Sequence, residues 1–356
     1  MKELKPNRPK PIITDIDVIG YNKSMSVKYA VEALLEGYYV LVLDYFSSGL
    51  EILRELKTQL KAYQSGKSYQ AEREFRSKYR KLSHKLLLEI SDETLSVKRA
   101  PYIGWFKILY SDLEEFLLPF PQIQGLNSSW QWYKKGLFIP TIEKKIYPWF
   151  DTYFPTRFEH LDLFDEFLKE YSGEKESAID IGIGSGVLSL QMLKHGFNNI
   201  QGTDTNPNAI IGLNEYLSKE GLSSKIQLQL GDLFANNLEK ADLIVFNPPW
   251  LPIDEDVEGI DKAMYYDKEL FPRFFKQAKK YLKPEGKLVL IFSNLAQITH
   301  LTKSHPIEDE LAQAQNFKKE FLLKKKVGAS SKNTKRDLSR REMEEVELWV
   351  LSHINL

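Results

Sequence analysis

The chain has 356 residues, of which 42% are hydrophobic and 28% charged, enough apolar material for two folded domains. Its 49 Lys and Arg residues balance 49 Asp and Glu residues, which excludes a global electrostatic attraction to nucleic acid or anionic membrane. The absence of cysteine excludes disulfides, thiolate metal sites and a cysteine nucleophile, and six scattered histidines argue against a catalytic metal. The N-terminus lacks the apolar core of a secretory signal and no apolar run is long enough to span a bilayer, so we predict a soluble, cytoplasmic protein.

The N-terminal half of the sequence contains few strand–helix alternations, and we predict that it is mainly helical. The hydrophobic pattern predicts a helix over 24–35 that ends at Gly37, followed by a short buried strand over 39–44. Two amphipathic helices are predicted next, over 50–63 and 69–90.

Strands and helices alternate with short turns from about residue 151 onward, which is typical of an α/β domain with a parallel sheet. We therefore predict two domains: an accessory domain over 1–150 that recognises the substrate, and an α/β domain over 151–356. Within the first domain, residues 51–100 carry 12 basic and 7 acidic side chains. This excess indicates either a solvated helical face or a face that contacts RNA.

A glycine-rich turn follows the first strand of the second domain, within the sequence AIDIGIGSGVL. Glycine suits a turn that needs unusual φ values and a backbone that a ligand approaches closely. The amides of the helix that follows can hold a carboxylate or a phosphate. Gly182, Gly184 and Gly186 are spaced G-x-G-x-G, unlike the G-x-G-x-x-G of dinucleotide-binding proteins, and Asp180 lies two residues before the first glycine.

Acidic residues follow the next two predicted strands. Asp204 comes directly after the strand over 199–203, and Asp232 follows the strand over 225–230. A carboxylate at the tip of the second strand can accept both hydroxyl groups of a ribose, although Asp204 also stands where a helix-capping residue would. The order of the two acids at the ends of successive strands favours ligand binding over capping.

The fourth strand, over 241–246, runs directly into Asn247, Pro248, Pro249 and Trp250. Two consecutive prolines cannot continue a sheet ladder or a helix, so the chain leaves the sheet in a rigid extended turn. This diproline turn (residues 247–250) either only ends the strand or belongs to a site. Its position favours a site, because an open α/β sheet binds ligands at the carboxyl ends of its strands.

These motifs resemble those of class I S-adenosylmethionine-dependent methyltransferases, over about residues 155–356. The diproline turn is similar to the (Asp/Asn)-Pro-Pro-(Tyr/Phe/Trp) motif of ribosomal-RNA base and protein-glutamine N-methyltransferases, in the methyltransferase small domain group. The resemblance implies a Rossmann-like α/β fold with a seven-stranded mixed sheet whose last strand inserts antiparallel. It implies that S-adenosylmethionine is bound by Asp180, Gly182, Gly184, Gly186, Asp204, Asp232, Leu233 and Asn247. It implies catalytic roles for Asn247, Pro248, Pro249 and Trp250.

The chemistry implied by this resemblance concerns a nitrogen attached to a planar π system, whose delocalised lone pair makes it a poor nucleophile. Asn247 Oδ1 and the Pro248 carbonyl would each accept one N–H of this nitrogen and so orient its lone pair toward the methyl group. Trp250 would offer an aromatic face for a flipped base or a planar amide. Leu233 and Phe234 would flank the adenine ring of the cofactor.

Two charged segments bear on the identity of the substrate. Residues 324–341 carry eight basic side chains and one acidic one, which suits either phosphate binding or a solvated loop. Residues 254–269 carry seven acids and two lysines, which would repel a nucleic-acid backbone. We expect the acceptor to be a base in structured RNA, such as ribosomal RNA, or alternatively a glutamine of a translation-related protein. A small-molecule enzyme and a scaffold without catalysis are the rival hypotheses, and we expect neither a metal nor a membrane partner.

Overall fold

The structure, a computed structural model, describes residues 4–14, 16–62, 69–235, 238–253, 263–314, 316–328 and 343–354. The chain forms two compact units. The N-terminal unit comprises Asn7–Lys134, and the C-terminal unit comprises Lys135–Leu356 together with Met1–Pro6. The division between them falls upstream of the boundary after residue 150 that the sequence predicts.

The N-terminal unit combines helices with a five-stranded mixed sheet. Strands β1, β2 and β3 are parallel neighbours, and β4 and β5 both pair with β3 in antiparallel fashion. The sequence predicts only one of these strands, β2. In chain order the elements are β1 (Val18–Tyr21), α1 (Val27–Glu36), β2 (Tyr39–Val42), α2 (Phe46–Ala62), α3 (Tyr69–Ser83), β3 (Leu86–Ser91), β4 (Thr94–Leu95), α4 (Trp105–Leu109), β5 (Glu115–Pro119) and α5 (Phe120–Lys135).

Strand β3 is the main departure from the predicted elements of this unit. The sequence predicts one helix over 69–90, whereas α3 ends at Ser83 and the chain continues as a strand. Leu86, Leu87 and Leu88 are fully buried, and a short continuous apolar run fits a buried strand as well as a helix. Pairing with β2 on one side and β5 on the other satisfies the backbone of this run, so tertiary packing decides its conformation.

The C-terminal unit alternates strands and helices, as the sequence predicts. In chain order its elements are β6 (Leu137–Ile139), a 3₁₀ helix (Pro140–Ile142), β7 (Lys144–Ile146), α6 (Glu159–Glu170), β8 (Ser177–Ile181), α7 (Val187–Lys194), β9 (Asn199–Asp204), α8 (Pro207–Glu220), β10 (Ile226–Leu230), β11 (Ala241–Phe246), β12 (Leu251–Pro252), β13 (Tyr265–Tyr266), α9 (Leu270–Tyr281), β14 (Leu282–Ser293), α10 (Leu295–Ile298), α11 (Pro306–Ala314), β15 (Phe317–Lys326) and β16 (Glu345–His353).

The main sheet of this unit has seven strands in the order β10-β9-β8-β11-β14-β16-β15. The five strands from β10 to β14 are parallel, and β16 lies antiparallel between β14 and β15. This arrangement confirms the predicted Rossmann-like sheet with an inserted antiparallel last strand. The reversal of strand order between β8 and β11 is where such sheets open a crevice at their carboxyl edge.

Hydrophobic clusters cover both faces of the sheet. Along β11, Leu243 and Val245 belong to one cluster, whereas Ile244 and Phe246 belong to the other. Because successive side chains of a strand point to opposite faces, the two clusters lie on opposite sides of the sheet. Residues of α6, α7 and α8 fill the first cluster and residues of α9 and α11 the second, so the sheet is a rigid base for its loops.

The short hairpin of β6 and β7 belongs to the core of the C-terminal unit. Its residues Ile139 and Ile146 join the first hydrophobic cluster, and Lys194 Nζ of α7 donates to the Thr141 carbonyl at 2.8 Å. These contacts explain why the compact unit begins before residue 151. None of the helices within the described ranges is both long and apolar enough to cross a membrane.

Candidate active site

The glycine-rich turn and the diproline turn emerge side by side at the carboxyl edge of the main sheet. Strands β8 and β11 are direct neighbours, with Ile181 opposite Phe246. Gly182 directly follows β8, and Asn247 directly follows β11. Neighbouring strands lie about 4.8 Å apart, so the sheet register brings the start of the glycine turn close to the start of the diproline turn.

All three glycines of the turn adopt left-handed backbone conformations. The φ angles of Gly182, Gly184 and Gly186 are +64°, +51° and +77°, a region that residues with a side chain rarely occupy. At Gly186 a Cβ atom would also come within 2.6 Å of Leu213 Cδ1, which is buried in the core. The turn therefore requires glycine for its backbone conformation, and at Gly186 for packing as well.

Asp180 lies inside the protein on β8, where it is 1% exposed. Ser189 Oγ of α7 donates to Asp180 Oδ2 at 2.7 Å, whereas Oδ1 has no hydrogen-bond partner among the described residues. Burial raises the pKa of Asp180 to about 7, although the hydrogen bond from Ser189 acts in the opposite direction. The side chain thus links β8 to α7 and keeps one unused acceptor.

Asp204 connects the tip of β9 to the glycine turn. The backbone N–H of Gly184 donates to Asp204 Oδ2 at 2.9 Å, and that of Asn206 donates to Oδ1 at 2.8 Å. Burial raises the pKa of this carboxyl group. The cap of α8 is Asn206, whose side chain accepts from the Asn208 N–H, and not Asp204. Since each carboxylate oxygen can accept two hydrogen bonds, Asp204 retains capacity for a ligand's hydroxyl groups.

The loop after β10 places its predicted site residues in different environments. Asp232 forms an ion pair with Arg273 of α9, and its side chain is 54% exposed. Leu233 is buried, and its carbonyl accepts from Thr203 Oγ1 at 2.5 Å. Phe234 is fully buried and stacks on Phe274 of α9, with ring centroids 5.7 Å apart. Of these three residues, Asp232 is the one at the surface.

The diproline turn has an internal hydrogen bond that the sequence analysis did not predict. Trp250 Nε1–H donates to Asn247 Oδ1 at 3.0 Å, so the predicted acceptor atom already has one partner. Pro248 is buried, and Asn247, Pro249 and Trp250 are half-buried. An indole N–H can only donate a hydrogen bond, and Asn247, three residues before Trp250, has an amide oxygen that can accept it. This pair of residue types at this spacing is the signal in the sequence that points to such a bond.

His160 of α6 also contacts the diproline turn and was missed by the sequence analysis. Its ring meets Trp250 edge to face, with centroids 6.1 Å apart and an interplanar angle of 87°. Burial lowers the pKa of His160 to about 4, so the ring is neutral at physiological pH. A neutral imidazole thus packs against the indole ring whose N–H donates to Asn247.

The charged segments flanking the site are described only in part. Lys324 Nζ donates to Glu347 Oε1 at 2.7 Å, and Lys325 Nζ to Asp162 Oδ2 at 3.0 Å, so acids of the fold neutralise both lysines. Residues 329–341 of the basic segment and residues 254–262 of the acidic segment lie outside the described residues. Within the described part of the chain, no group of three or more His, Cys, Asp or Glu side chains could hold a metal ion.

The C-terminal unit is similar to known methyltransferases. A protein of Methanocaldococcus jannaschii, provisionally named a protein N5-glutamine methyltransferase, is 33% identical over 132 residues, covering 34% of this chain and 64% of that protein. The ribosomal RNA small subunit methyltransferase C of Alcanivorax borkumensis is 32% identical over 119 residues, covering 33% of each chain. The release factor glutamine methyltransferase of Cereibacter sphaeroides is 27% identical over 130 residues, covering 32% of this chain and 45% of that one.

These alignments span between 33% and 64% of the relatives' own lengths. A family model, described as the methyltransferase small domain, matches residues 161–321. The matched range contains the glycine turn, the acidic residues after β9 and β10, and the diproline turn. Residues 161–321 therefore resemble the methyltransferase small domain family over the part of the chain that carries these motifs.

Proposed function

We propose that this protein transfers a methyl group from S-adenosylmethionine to a planar amino nitrogen, with a base in structured RNA as the acceptor. The observation that carries this proposal is the register of β8 and β11, which sets the glycine turn beside the diproline turn. A donor on the first turn and an acceptor nitrogen on the second would lie within reach of direct transfer.

The residues at the carboxyl edge fit S-adenosylmethionine, which supplies an electrophilic methyl group on a sulfonium centre. The glycine turn offers bare backbone, and α7 starts immediately after it without a side-chain cap at its N-terminus. Asp204 keeps lone pairs for ribose hydroxyl groups, and Asp180 Oδ1 is a buried acceptor without a partner among the described residues. Asp232, at the surface beside Arg273, is available for the adenine end of the cofactor.

Asn247 is the residue that we assign to the acceptor nitrogen. Its Oδ1 has two lone pairs, one of which accepts from Trp250. The second lone pair and the carbonyl of Pro248 would accept the two N–H groups of the substrate and direct the nitrogen lone pair toward the methyl carbon. In this scheme Trp250 fixes the orientation of the Asn247 amide, in addition to bordering the substrate.

Two acceptors share this planar amino chemistry. The local basic excess of residues 51–100 and the name of the Alcanivorax borkumensis relative support a base in RNA. The side-chain amide of a protein glutamine is the second candidate, because the Methanocaldococcus jannaschii and Cereibacter sphaeroides relatives carry glutamine in their names.

Incubation with methyl-labelled donor and fractionated cell extract distinguishes these acceptors. We expect label in the RNA fraction, and ribonuclease should release it. Label in protein would support glutamine methylation instead, and label in the small-molecule fraction would contradict both. Tight donor binding without transfer to any fraction would favour a scaffold that has lost catalysis.

Two substitutions separate the proposed roles of the site residues. Asn247→Ala should leave donor affinity nearly unchanged while lowering the single-turnover rate at least about a hundredfold, as expected on loss of a preorganised hydrogen-bond partner. Asp204→Ala should weaken donor binding more than it lowers the rate. The substitution removes the proposed acceptor for the ribose hydroxyl groups and the hydrogen bond that holds the Gly184 N–H. Calorimetry gives the affinity and a quenched reaction gives the rate. Full activity of Asn247→Ala would show that its side chain does not hold the acceptor.

A further inference from the structure

Three exposed cations gather around one tyrosine ring in the N-terminal unit. Lys23 Nζ lies 4.7 Å from the centroid of the Tyr45 ring, Lys98 Nζ lies 5.9 Å from it, and Arg99 Cζ lies 5.8 Å from it. All three cationic residues are exposed, whereas Tyr45 is half-buried. We call Lys23, Tyr45, Lys98 and Arg99 the tyrosine cluster.

Backbone hydrogen bonds hold the three segments of the tyrosine cluster together. Lys98 N–H donates to the Asp44 carbonyl at 2.7 Å, and Phe46 N–H donates to the Lys98 carbonyl at 3.1 Å. Lys23 N–H donates to Asp44 Oδ2 at 2.8 Å. Arg99 has a φ of +56°, a conformation that residues other than glycine adopt at a cost and that often marks functional sites. The cluster is therefore fixed by its backbone.

The charge of the tyrosine cluster is not balanced by acids of the fold. In the described part of the chain, none of its three cations has a carboxylate within ion-pair distance. Asp44 is the acid that faces the cluster, and its carboxylate accepts from the N–H groups of Lys23 and Tyr45 and from Ser48 Oγ. The Asp44 carboxylate already accepts three hydrogen bonds, and its single negative charge does not balance the three cations. Like charges placed this close together repel one another, and a bound anion would relieve the repulsion.

An exposed aromatic ring follows on the same loop. Tyr102 is 67% exposed and lies three residues after Arg99, a distance that the backbone spans in at most about 11 Å. Its ring lies nearly perpendicular to the Trp130 ring, with centroids 6.1 Å apart and an interplanar angle of 75°. Trp130 is itself fixed, because it packs on Trp105 and closely against Gly104. The Tyr102 ring is thus held by one fixed neighbour while most of its surface is exposed.

We propose that the tyrosine cluster and Tyr102 form a contact surface for single-stranded RNA. The three cations bind backbone phosphates, and Tyr102 stacks on a base of the same strand, which is the combination that non-sequence-specific single-strand binding uses. This surface lies in the N-terminal unit, outside the family match over 161–321. Its function is RNA binding, which adds a second activity to methyl transfer and does not depend on it.

Fluorescence anisotropy of the full chain with a labelled single-stranded RNA of about 12 nucleotides tests the proposal without any methyl donor. The triple variant Lys23→Gln, Lys98→Gln, Arg99→Gln should bind at least about tenfold more weakly. The slope of log affinity against log salt should also fall by about 2, since each phosphate contact on a single strand contributes about 0.7. Its affinity for S-adenosylmethionine should equal that of the wild type, which shows that the C-terminal unit is intact.

A matched triple variant, Lys61→Gln, Lys78→Gln, Lys81→Gln, removes the same charge from exposed positions on α2 and α3 of the same unit. We expect it to keep the wild-type affinity and salt slope. An equal loss of affinity in both triple variants would overturn the proposal and point to the total charge of the unit. Wild-type binding by the first triple variant would also overturn it.

Tyr102 provides a second, uncharged test. Tyr102→Ala should weaken RNA binding at least about fivefold with an unchanged salt slope, because it removes a stacking platform and no charge. Tyr102→Phe should bind like the wild type. Unchanged binding by Tyr102→Ala would overturn the stacking role. A polyglutamate peptide that competes as well as RNA would show that the surface takes acidic peptides and would overturn its assignment to RNA.

Discussion

At the scale of single residues, the hydrogen bond from Trp250 to Asn247 gives a definite function to the aromatic residue of the diproline turn. The sequence assigns Trp250 a stacking role, which any aromatic ring can fill. The 3.0 Å bond from its Nε1–H to Asn247 Oδ1 requires a ring that carries an N–H. We therefore propose that Trp250 positions the side-chain amide of Asn247, which we assign to binding the acceptor nitrogen.

Substitution of Trp250 separates these two roles. Trp250→Phe keeps an aromatic face but removes the N–H, so the Asn247 amide loses a hydrogen bond worth about 1 kcal/mol. We expect the single-turnover rate to fall about fivefold while donor affinity stays unchanged. Single-turnover kinetics at saturating donor measures the effect. A wild-type rate in Trp250→Phe, together with a large loss in Trp250→Ala, would show that Trp250 only stacks.

Besides the bond from Trp250 to Asn247, the sequence analysis missed side-chain contacts between residues that are far apart along the chain. Asp232 and Arg273 are 41 residues apart, and His160 reaches Trp250 from a helix that precedes the first strand of the main sheet. Motif spacing reports only neighbours along the chain. The strand-end motifs were predictable because the carboxyl end of a strand is a property of the backbone, whereas these contacts depend on packing.

At the scale of elements, the glycine turn is the part of the site that the fold constrains most. Gly186 precedes α7, has a φ of +77°, and faces Leu213 of α8. Gly221, which ends α8, has a similar φ of +70° but no atom within 4 Å of its would-be Cβ. The two glycines thus share a left-handed backbone conformation, which only glycine adopts without strain, and differ in packing.

Substitution by alanine at these two positions separates the energetic cost of a left-handed backbone from the cost of a packing clash. Gly221→Ala should lower the free energy of unfolding by about 1–2 kcal/mol, the cost of a left-handed residue with a side chain. Gly186→Ala should lower it by about 2–4 kcal/mol, because Leu213 must also move, and should reduce donor affinity. Denaturant unfolding and calorimetry give the two quantities. Equal destabilisation by both substitutions would contradict the packing argument.

The elements of the C-terminal unit were predictable, and those of the N-terminal unit less so. Each strand from β8 to β11 is bounded by a turn or a change of hydrophobic period, and the sheet order follows from the resemblance. By contrast, β3 lies in an apolar run that fits a helix equally well, and β4 has only two residues. Short strands are defined by their partners, which local sequence does not report.

At the scale of the whole molecule, the buried Asp180 makes stability depend on pH. Its pKa of about 7 in the folded protein lies above the unfolded value of about 4. The folded state therefore binds this proton more tightly than the unfolded state. The contribution of Asp180 to the free energy of unfolding thus falls as pH rises from about 4 to about 7 and is constant above that range.

Asp180→Asn should remove this dependence while it keeps a side chain that can accept from Ser189. The free energy of unfolding of the variant minus that of the wild type should rise with pH between about 4 and 7, by up to about 1.4 kcal/mol per pH unit. Denaturant unfolding at a series of pH values measures the difference, in which all other titrating groups cancel. A difference that does not change with pH would show that Asp180 is charged throughout this range.

The two compact units require separate tests of function. The family match covers 161–321, so the relatives bear on the proposed methyl-transfer site and not on the N-terminal unit. The predicted role of that unit in substrate recognition stays a prediction, and the proposed RNA contact at the tyrosine cluster is tested separately from it.

The most direct test of methyl transfer at this site is an experimental structure with S-adenosylmethionine bound. We predict that the donor contacts the backbone of the glycine turn and the carboxylate of Asp204, with its methyl carbon directed at the space in front of Asn247 Oδ1. A donor bound elsewhere, or one whose methyl group points away from the diproline turn, would contradict this account.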